Sequence, residues 1–191
     1  MLNDVEGTET EPCFESLNDF LASVERRAYL MARFALKHHD DALDVVQDTM
    51  LIMVRKYADK SSAEWRLLFF RVLQNRIRDL YRYQKVRRKV TGWLPGQYSG
   101  DSENADPFQA VADRESNNPL HELTRNRGMQ RLAQAVNALP MRQQQAFMLR
   151  CWEGLSTAEA ADVMKCSEGS VKTHYFRALK VLQEQLEDYH E

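Results

Sequence analysis

Glycine, proline and cysteine are scarce in this chain of 191 residues, which contains 7, 5 and 3 of them. Few turn-forming residues and little alternation of β-branched residues favour an all-α fold. The cysteines, Cys13, Cys151 and Cys166, lie far apart and form neither a disulfide framework nor a CxxC zinc motif. We therefore expect no metal and no other cofactor.

Long apolar runs are also missing. No stretch approaches the roughly 20 apolar residues that a membrane span needs. The acidic start, MLNDVEGTETEPCFESLNDF, lacks the basic and apolar segments of a secretory signal. These features predict a cytoplasmic protein without membrane insertion. Gly-rich phosphate loops and the HExxH and GxSxG motifs are absent too, which disfavours an enzyme.

Charge is arranged in blocks, although the net charge is only −2. Residues 1–19 carry six acidic residues and no basic one, whereas residues 55–90 carry twelve basic and three acidic residues. Residues 101–122 are acidic again, with six acids and one arginine. A basic block in a nearly neutral chain is typical of a surface that binds polyanions.

Helical periodicity predicts a first group of three helices, at about residues 17–37, 41–57 and 63–84. The first helix opens with Ser16 and Asp19 in a variant of the capping box. The apolar residues of the second helix fall at helical spacing: Leu43, Val46, Met50, Met53, Val54 and Tyr57. Three such helices can enclose a core by themselves.

A second group of helices begins at about residue 120. The intervening residues 92–119 are rich in Gly, Pro, Ser, Asn and acids, which predicts a flexible acidic linker. In the second group one helix ends at Pro140, and the next covers 142–152 with Gly154 placed to end it. We expect a disordered acidic terminus (1–15), a first domain (16–91), the linker (92–119) and a second domain (120–191).

The segment EGLSTAEAADVMKCSEGSVKTHYFRALKVL, residues 153–182, predicts two short helices separated by a tight turn. Ser156 and Glu159 form a capping box that fixes the first helix at 157–164, and Ser167 starts the second at Glu168. On the second helix one stripe is apolar: Val171, Tyr175, Ala178, Leu179 and Leu182. The residues on or beside the outward arc are polar, cationic or aromatic: Ser170, Lys172, Thr173, Phe176, Arg177 and Lys180. This pattern is typical of a helix-turn-helix whose second helix enters the major groove of DNA.

Three stretches of the chain resemble the sigma factors of bacterial RNA polymerase. Residues 139–179, LPMRQQQAFMLRCWEGLSTAEAADVMKCSEGSVKTHYFRAL, resemble sigma region 4. Residues 40–57, DDALDVVQDTMLIMVRKY, resemble region 2.2, and residues 67–82, LLFFRVLQNRIRDLYR, resemble regions 2.3–2.4. Since no room is left for region 3, the resemblance points to the two-domain extracytoplasmic-function (ECF) class. It implies a three- to four-helix region 2 bundle joined to a region 4 helix-turn-helix.

The resemblance implies a non-catalytic sigma factor that binds core RNA polymerase, recognises the −10 and −35 promoter elements and assists promoter melting for a stress- or signal-responsive gene set. The coiled coil of the largest polymerase subunit, together with the flap, would be the docking partner. The family's core-binding positions fall on an acidic face: Asp41, Asp44, Gln47 and Asp48. Many relatives are held inactive by an anti-sigma factor, which is therefore a further expected partner.

DNA contacts are carried over from the same resemblance. Asn75 matches a base-pocket position for an unstacked −10 base, and the loop at about 59–64 would line that pocket. The full set expected at the −10 element is Arg71, Asn75, Arg78, Arg82, Lys85, Arg87 and Arg88. The set expected at the −35 element is Arg150, Ser170, Lys172, Thr173, Phe176, Arg177 and Lys180.

A two-domain regulator of the LuxR type is the alternative, because SVKTH also suits that helix-turn-helix. Such a protein would carry an α/β sensor domain in its first half. It would leave the acidic face and the spacing of Arg71, Asn75, Asp79 and Arg82 unexplained.

Overall fold

A computed structural model of the chain describes residues 14–91 and 119–187. These ranges form seven helices and contain no β-strand, which confirms the all-α fold class. Residues 14–91 are helical apart from short connections, which does not fit the α/β sensor domain expected in the first half of a LuxR-type regulator. No helix in the described ranges is long and apolar enough to cross a membrane.

The first group consists of α1 (Leu17–Leu36), α2 (His39–Tyr57) and α3 (Ser62–Thr91). As predicted, Ser16 caps α1 by accepting a hydrogen bond from the backbone N–H of Asp19. Their shared core is aromatic and aliphatic: Phe20, Leu30, Phe34, Met53, Phe69 and Ile77. The ring centroids of Phe20 and Phe69 lie 5.8 Å apart in an edge-to-face arrangement, which adds to the gain from burial.

The second group consists of α4 (Pro119–Ala138), α5 (Met141–Phe147), α6 (Thr157–Met164) and α7 (Glu168–Glu187). The helix predicted at 142–152 is present, but its last five residues, Met148–Trp152, are π-helical. Gly154 follows in the left-handed conformation at φ 64°, as expected of a residue that ends a helix. The termini and most of the predicted linker lie outside the described residues. Pro119, the last residue of the predicted linker, already belongs to α4.

Local capping sets the turn between α6 and α7. The capping box is present in full, because Ser156 and Glu159 accept each other's backbone N–H bonds at 3.2 and 2.7 Å. Lys165 ends α6 in the left-handed conformation at φ 53°. Ser167 then caps α7 through the backbone N–H of Ser170. The predicted helix-turn-helix is thereby confirmed at both helix starts.

The two groups pack against each other along α3, which α6 contacts directly. We call this junction the polar seam, because its pairs are made by charged or amide side chains. Arg27 lies 3.3 Å from Glu153, and Arg66 donates to the backbone carbonyl of Glu153. The remaining pairs are Arg71 with Asp162, Gln74 with Gln145, and Gln144 with the carbonyl of Phe34.

Glu153 is the most deeply buried acid of the polar seam, with a side chain that is fully hidden from solvent. Neither carboxylate oxygen has a hydrogen-bond partner in the described residues, despite the nearby Arg27 guanidinium. Burial raises the pKa of Glu153, and the charges of Arg27 and Arg66 offset only part of that rise. The folded chain therefore binds this proton more tightly than the unfolded chain does.

This pKa shift predicts a pH-dependent stability difference between the wild type and Glu153→Gln. As pH rises from the ordinary value of 4.5 towards the raised folded-state pKa, the folded wild type holds more protons than the unfolded chain. Its stability relative to the variant should therefore fall across that window and then level off. Urea unfolding from about pH 4 to pH 8 measures the difference. Glu25→Gln, which neutralises an exposed acid of α1, is the matched control. A stability difference between the wild type and Glu153→Gln that stayed constant over this pH range would contradict the effect of burial on the carboxyl.

Candidate nucleic-acid interface

Six of the seven residues predicted for the −35 element lie on α7, and Arg150 is the exception. Val171, Ala178 and Leu182 are buried, which fixes the orientation of the helix. The opposite face is exposed at Lys172, Thr173, Phe176, Arg177 and Lys180. Phe176 is 69% exposed, which is unusual for so large an apolar side chain. Cations and an aromatic ring are therefore presented together on one accessible helix face.

One part of the predicted apolar stripe is wrong. Leu179 is 39% exposed. It lies at the edge of the buried face of α7, whose centre falls between Ala178 and Val171. Val181 packs against the core on the other side of that arc. The inward face of α7 is thus rotated by part of a turn from the expected one, and the outward face keeps its predicted residues.

Two hydroxyls of this face are already used inside α7. Thr173 donates to the carbonyl of Gly169 at 2.8 Å, and Ser170 lies 2.9 Å from the hydroxyl of Ser167. Thr173 keeps its oxygen lone pairs as acceptors and its methyl group as an apolar contact. Lys180 lies 3.9 Å from Glu184 on the same helix. The strongest free donors of the face are therefore Lys172 and Arg177.

Arg150 lies apart from that face. It is half-buried, donates to the carbonyl of Leu155, and places its guanidinium 5.9 Å from the ring centroid of Tyr175. Burial raises the pKa of the Tyr175 phenol, so that ring stays neutral at physiological pH. These contacts brace the π-helical segment against α7. The −35 contact expected of Arg150 stays a prediction.

The residues predicted for the −10 element all belong to α3. Asn75 and Arg78 are half-buried and joined by a 2.6 Å hydrogen bond from the guanidinium to the amide oxygen. That bond leaves the amide NH₂ of Asn75 available as a donor. Arg82 is exposed, whereas Arg71 is paired with Asp162 of α6. Lys85, Arg87 and Arg88 also belong to α3, but their side chains are outside the part of the structure that is described.

The loop between α2 and α3, expected to line a base pocket, is exposed from 58 to 61. The hydroxyl and backbone N–H of Ser61 hydrogen-bond to Glu64 and lower the pKa of that carboxyl. Trp65 anchors the loop by donating its indole N–H to the carbonyl of Tyr57. The loop therefore starts α3 in a defined orientation.

The predicted acidic face of α2 is exposed at Asp44, Gln47 and Asp48. Asp48 lies 3.5 Å from Arg76 of α3. Asp41 is half-buried and accepts a 2.6 Å hydrogen bond from the Gln84 amide. The structure thus places Asp41 at the junction with α3 and the other three residues on the open surface.

Three apolar residues lie on the same side of α2 as the acidic face, which the sequence analysis did not predict. Leu43, Leu51 and Val54 are 38%, 50% and 53% exposed. At 100° per residue they fall around Gln47, away from the buried arc of Ala42, Val45, Val46, Thr49 and Met53. The sequence analysis grouped Leu43 and Val54 with Val46 and Met53 by helical spacing, but the structure places Leu43 and Val54 on the exposed side of α2. Their angular position around Gln47 could have shown from the sequence that they lie on the acidic side of the helix.

Comparisons with known proteins agree with these features. The sigma-70 region 4 family profile matches residues 129–182, which cover α5, α6 and parts of α4 and α7. The chain is 30% identical over 150 residues to the RNA polymerase sigma-E factor of Streptomyces antibioticus, covering 77% of this chain and 71% of that protein. It is 27% identical over 160 residues to the RNA polymerase sigma factor SigV of Bacillus subtilis, covering 83% of each.

The fold is also similar to a solved structure. The sigma factor RpoE of Bartonella quintana, determined in complex with the anti-sigma factor NepR, superposes with a TM-score of 0.61. That match is 24% identical in sequence and covers 89% of this chain and 96% of that one. The fold, the exposed face of α7 and the sequence relatives agree, and the chain belongs to the RNA polymerase sigma factors of the extracytoplasmic-function type.

Proposed function

We propose that this chain binds core RNA polymerase through α2, places α7 in the major groove of the −35 element, and uses the basic side of α3 at the −10 element. It supplies promoter recognition in the cytoplasm, while the chemistry of RNA synthesis belongs to the polymerase. The exposed face of α7, in a helix-turn-helix that matches region 4 of the family, is the observation that carries this proposal.

Base reading is assigned to Arg177, Thr173 and Phe176. A guanidinium can bond the O6 and N7 atoms of a guanine edge, and a threonine methyl or a phenyl ring can contact a thymine methyl. Lys172 and Lys180 suit phosphate oxygens, which give affinity and salt dependence without sequence information. The buried inner face of α7 and its cap at Ser167 hold these groups in a fixed register.

The −10 contacts are assigned to α3. The amide oxygen of Asn75 accepts the hydrogen bond from Arg78, and its NH₂ group remains for a base edge. Arg82, on the exposed side of α3, suits the DNA backbone. Together these groups support capture of an unstacked base, where protein contacts must compensate for lost stacking and pairing.

Core binding is assigned to a mixed surface on α2. Leu51 and Val54 provide exposed apolar area, and Asp44 and Asp48 surround it with negative charge. An apolar centre with a charged rim is the usual composition of a protein interface. Leu43, which stands where the family usually has Glu, shifts this surface towards apolar contact.

Arg177→Ala should reduce transcription from the cognate −35 element by about 5- to 150-fold, the equivalent of roughly 1–3 kcal/mol for one bidentate base contact. Arg177→Lys keeps the charge but not the planar fork, so it should lose discrimination between promoters while retaining most of the salt dependence of binding. Run-off transcription and fluorescence anisotropy with labelled promoter DNA measure both effects. Equal discrimination by the wild type and Arg177→Lys would contradict base reading by this residue.

Asp44→Ala and Leu51→Ala should each weaken binding of core RNA polymerase by about 5- to 30-fold. Losses of this size are typical when an interface residue that contributes strongly to binding is replaced by alanine. Glu25→Ala is the matched control, because it removes an exposed acid from α1 rather than α2. Titration of labelled chain with core polymerase gives the dissociation constants. Unchanged affinity for both α2 variants, with normal folding by circular dichroism, would show that α2 is not the docking surface.

A further inference from the structure

We propose that Tyr83 and Val86, on the last part of α3, form an apolar patch that contacts thymine methyl groups in the duplex beside the −10 element. The patch adds selectivity for thymine at base pairs next to the unstacked base. The inference rests on the proposed function, since it takes α3 as the helix that meets the −10 element. It is carried by the exposure of the two side chains, their place on the helix and the charge around them.

Both side chains of the patch lie on the surface. Tyr83 and Val86 are 63% and 61% exposed. One exposed apolar side chain is common in a protein, but the large ones of the described ranges are grouped on three helices only, α2, α3 and α7. The groups on α2 and α7 belong to the faces assigned to core polymerase and to the −35 element. The pair on α3 is the group that still lacks a partner.

The fold holds the patch in a fixed orientation without using it in the core. Among the described side chains of α3, the last that pack against the core are Leu80 and Tyr81. Gln84 donates a 2.6 Å hydrogen bond to Asp41 of α2, which sets the rotation of α3 at this level. Val86 lies about 160° around the helix from Gln84, so it faces away from α2.

The patch continues the face of α3 that carries Asn75. At about 100° per residue, Arg82 and Val86 lie within about 20° of Asn75, and Tyr83 lies about 80° to one side. With a rise of about 1.5 Å per residue, Tyr83 is about 12 Å and Val86 about 16 Å along the helix from Asn75. At about 3.4 Å per base pair, the patch reaches up to about five base pairs beyond the base that Asn75 meets.

Charge around the patch favours DNA over a protein as its partner. Residues 82–89, RYQKVRRK, contain five basic residues and no acidic one. A segment of this composition attracts phosphates. The face of α2 assigned to core polymerase is acidic at Asp44 and Asp48. A polymerase surface complementary to that face is basic, and residues 82–89 would repel it.

The chemistry of base edges identifies what the patch contacts. The major groove accommodates an α-helix, and the apolar group that base edges present there is the C5 methyl of thymine. The side chain of Val86 has no hydrogen-bonding atom, and the ring of Tyr83 is apolar except at its hydroxyl. The patch therefore selects thymine by its methyl group rather than by hydrogen bonds.

Replacing thymine by uracil tests the patch, because this change removes the methyl group and keeps base pairing. A promoter is first selected from a randomised library with the full chain and core polymerase, and it should carry thymine beside the −10 element. Deoxyuridine then replaces one thymine at a time through the element and its duplex flanks. At a contacted position, competition binding by the wild-type holoenzyme should weaken about 2- to 5-fold, as expected for one buried methyl group.

Variants of the two residues connect this effect to the patch. The double variant Tyr83→Ser, Val86→Ser should bind thymine and uracil DNA equally, whereas Tyr83→Phe, which keeps the ring, should still prefer thymine. Arg82→Ala is the matched control on the same face. It should weaken binding to both DNAs alike, because a phosphate contact carries no sequence information. Circular dichroism checks that each variant is folded.

Equal binding of thymine and uracil DNA by the wild type at every position would overturn the patch. A preference for thymine that survives in the double serine variant would overturn it too. If that variant instead loses affinity for core polymerase and keeps its preference for thymine, the two residues belong to a protein interface and the proposal is wrong.

Failure of the patch and failure of the proposed function give different results. If thymine and uracil DNA bind equally while transcription from the selected promoter still requires the chain, the patch is wrong and the function stands. If the chain supports transcription from no promoter of the library, the proposed function is wrong and the patch falls with it.

Discussion

The carboxylate of Glu153 lies fully buried where α1, α3 and the π-helical segment meet, and the relation between the two groups of helices depends on it. Arg27 and Arg66 approach it from the first group, and Gln144 and Gln145 of the second group donate to Phe34 and Gln74 across the same junction. Charged and amide side chains also make the pairs of α3 with the second group, Arg71 with Asp162 and Gln74 with Gln145. One helix, α3, therefore serves both as a core element and as a docking platform.

Local signals explain why the helices could be predicted from the sequence. Ser16, Ser156 and Ser167 cap helices through bonds that span three residues, and Gly154 supplies the positive φ that ends the π-helical segment. Such contacts are encoded within a few positions of the chain. The π-helical turn was not predicted, because widening one turn leaves the spacing of apolar residues almost unchanged.

Long-range features were less accessible to sequence reasoning. Arg71 and Asp162 are 91 positions apart, and no local pattern indicates that they pair. Leu43 and Val54 were grouped with Val46 and Met53 by helical spacing, yet a partner-binding face also needs apolar side chains on the surface. The residues of the α7 face were predicted more successfully, since the buried Val171, Ala178 and Leu182 fix the opposite side by periodicity alone. Their contacts with DNA remain predictions.

One short chain carries three surfaces: an apolar and acidic face on α2, a basic side on α3 and the exposed cationic and aromatic face of α7. We propose that together they direct core polymerase to promoters defined by two separated elements. Run-off transcription by purified core polymerase on a randomised promoter library, with and without the chain, tests it most directly. We predict that the chain enriches templates bearing two short elements about 25 base pairs apart. Transcripts no more abundant or selective than those from core polymerase alone would contradict the account.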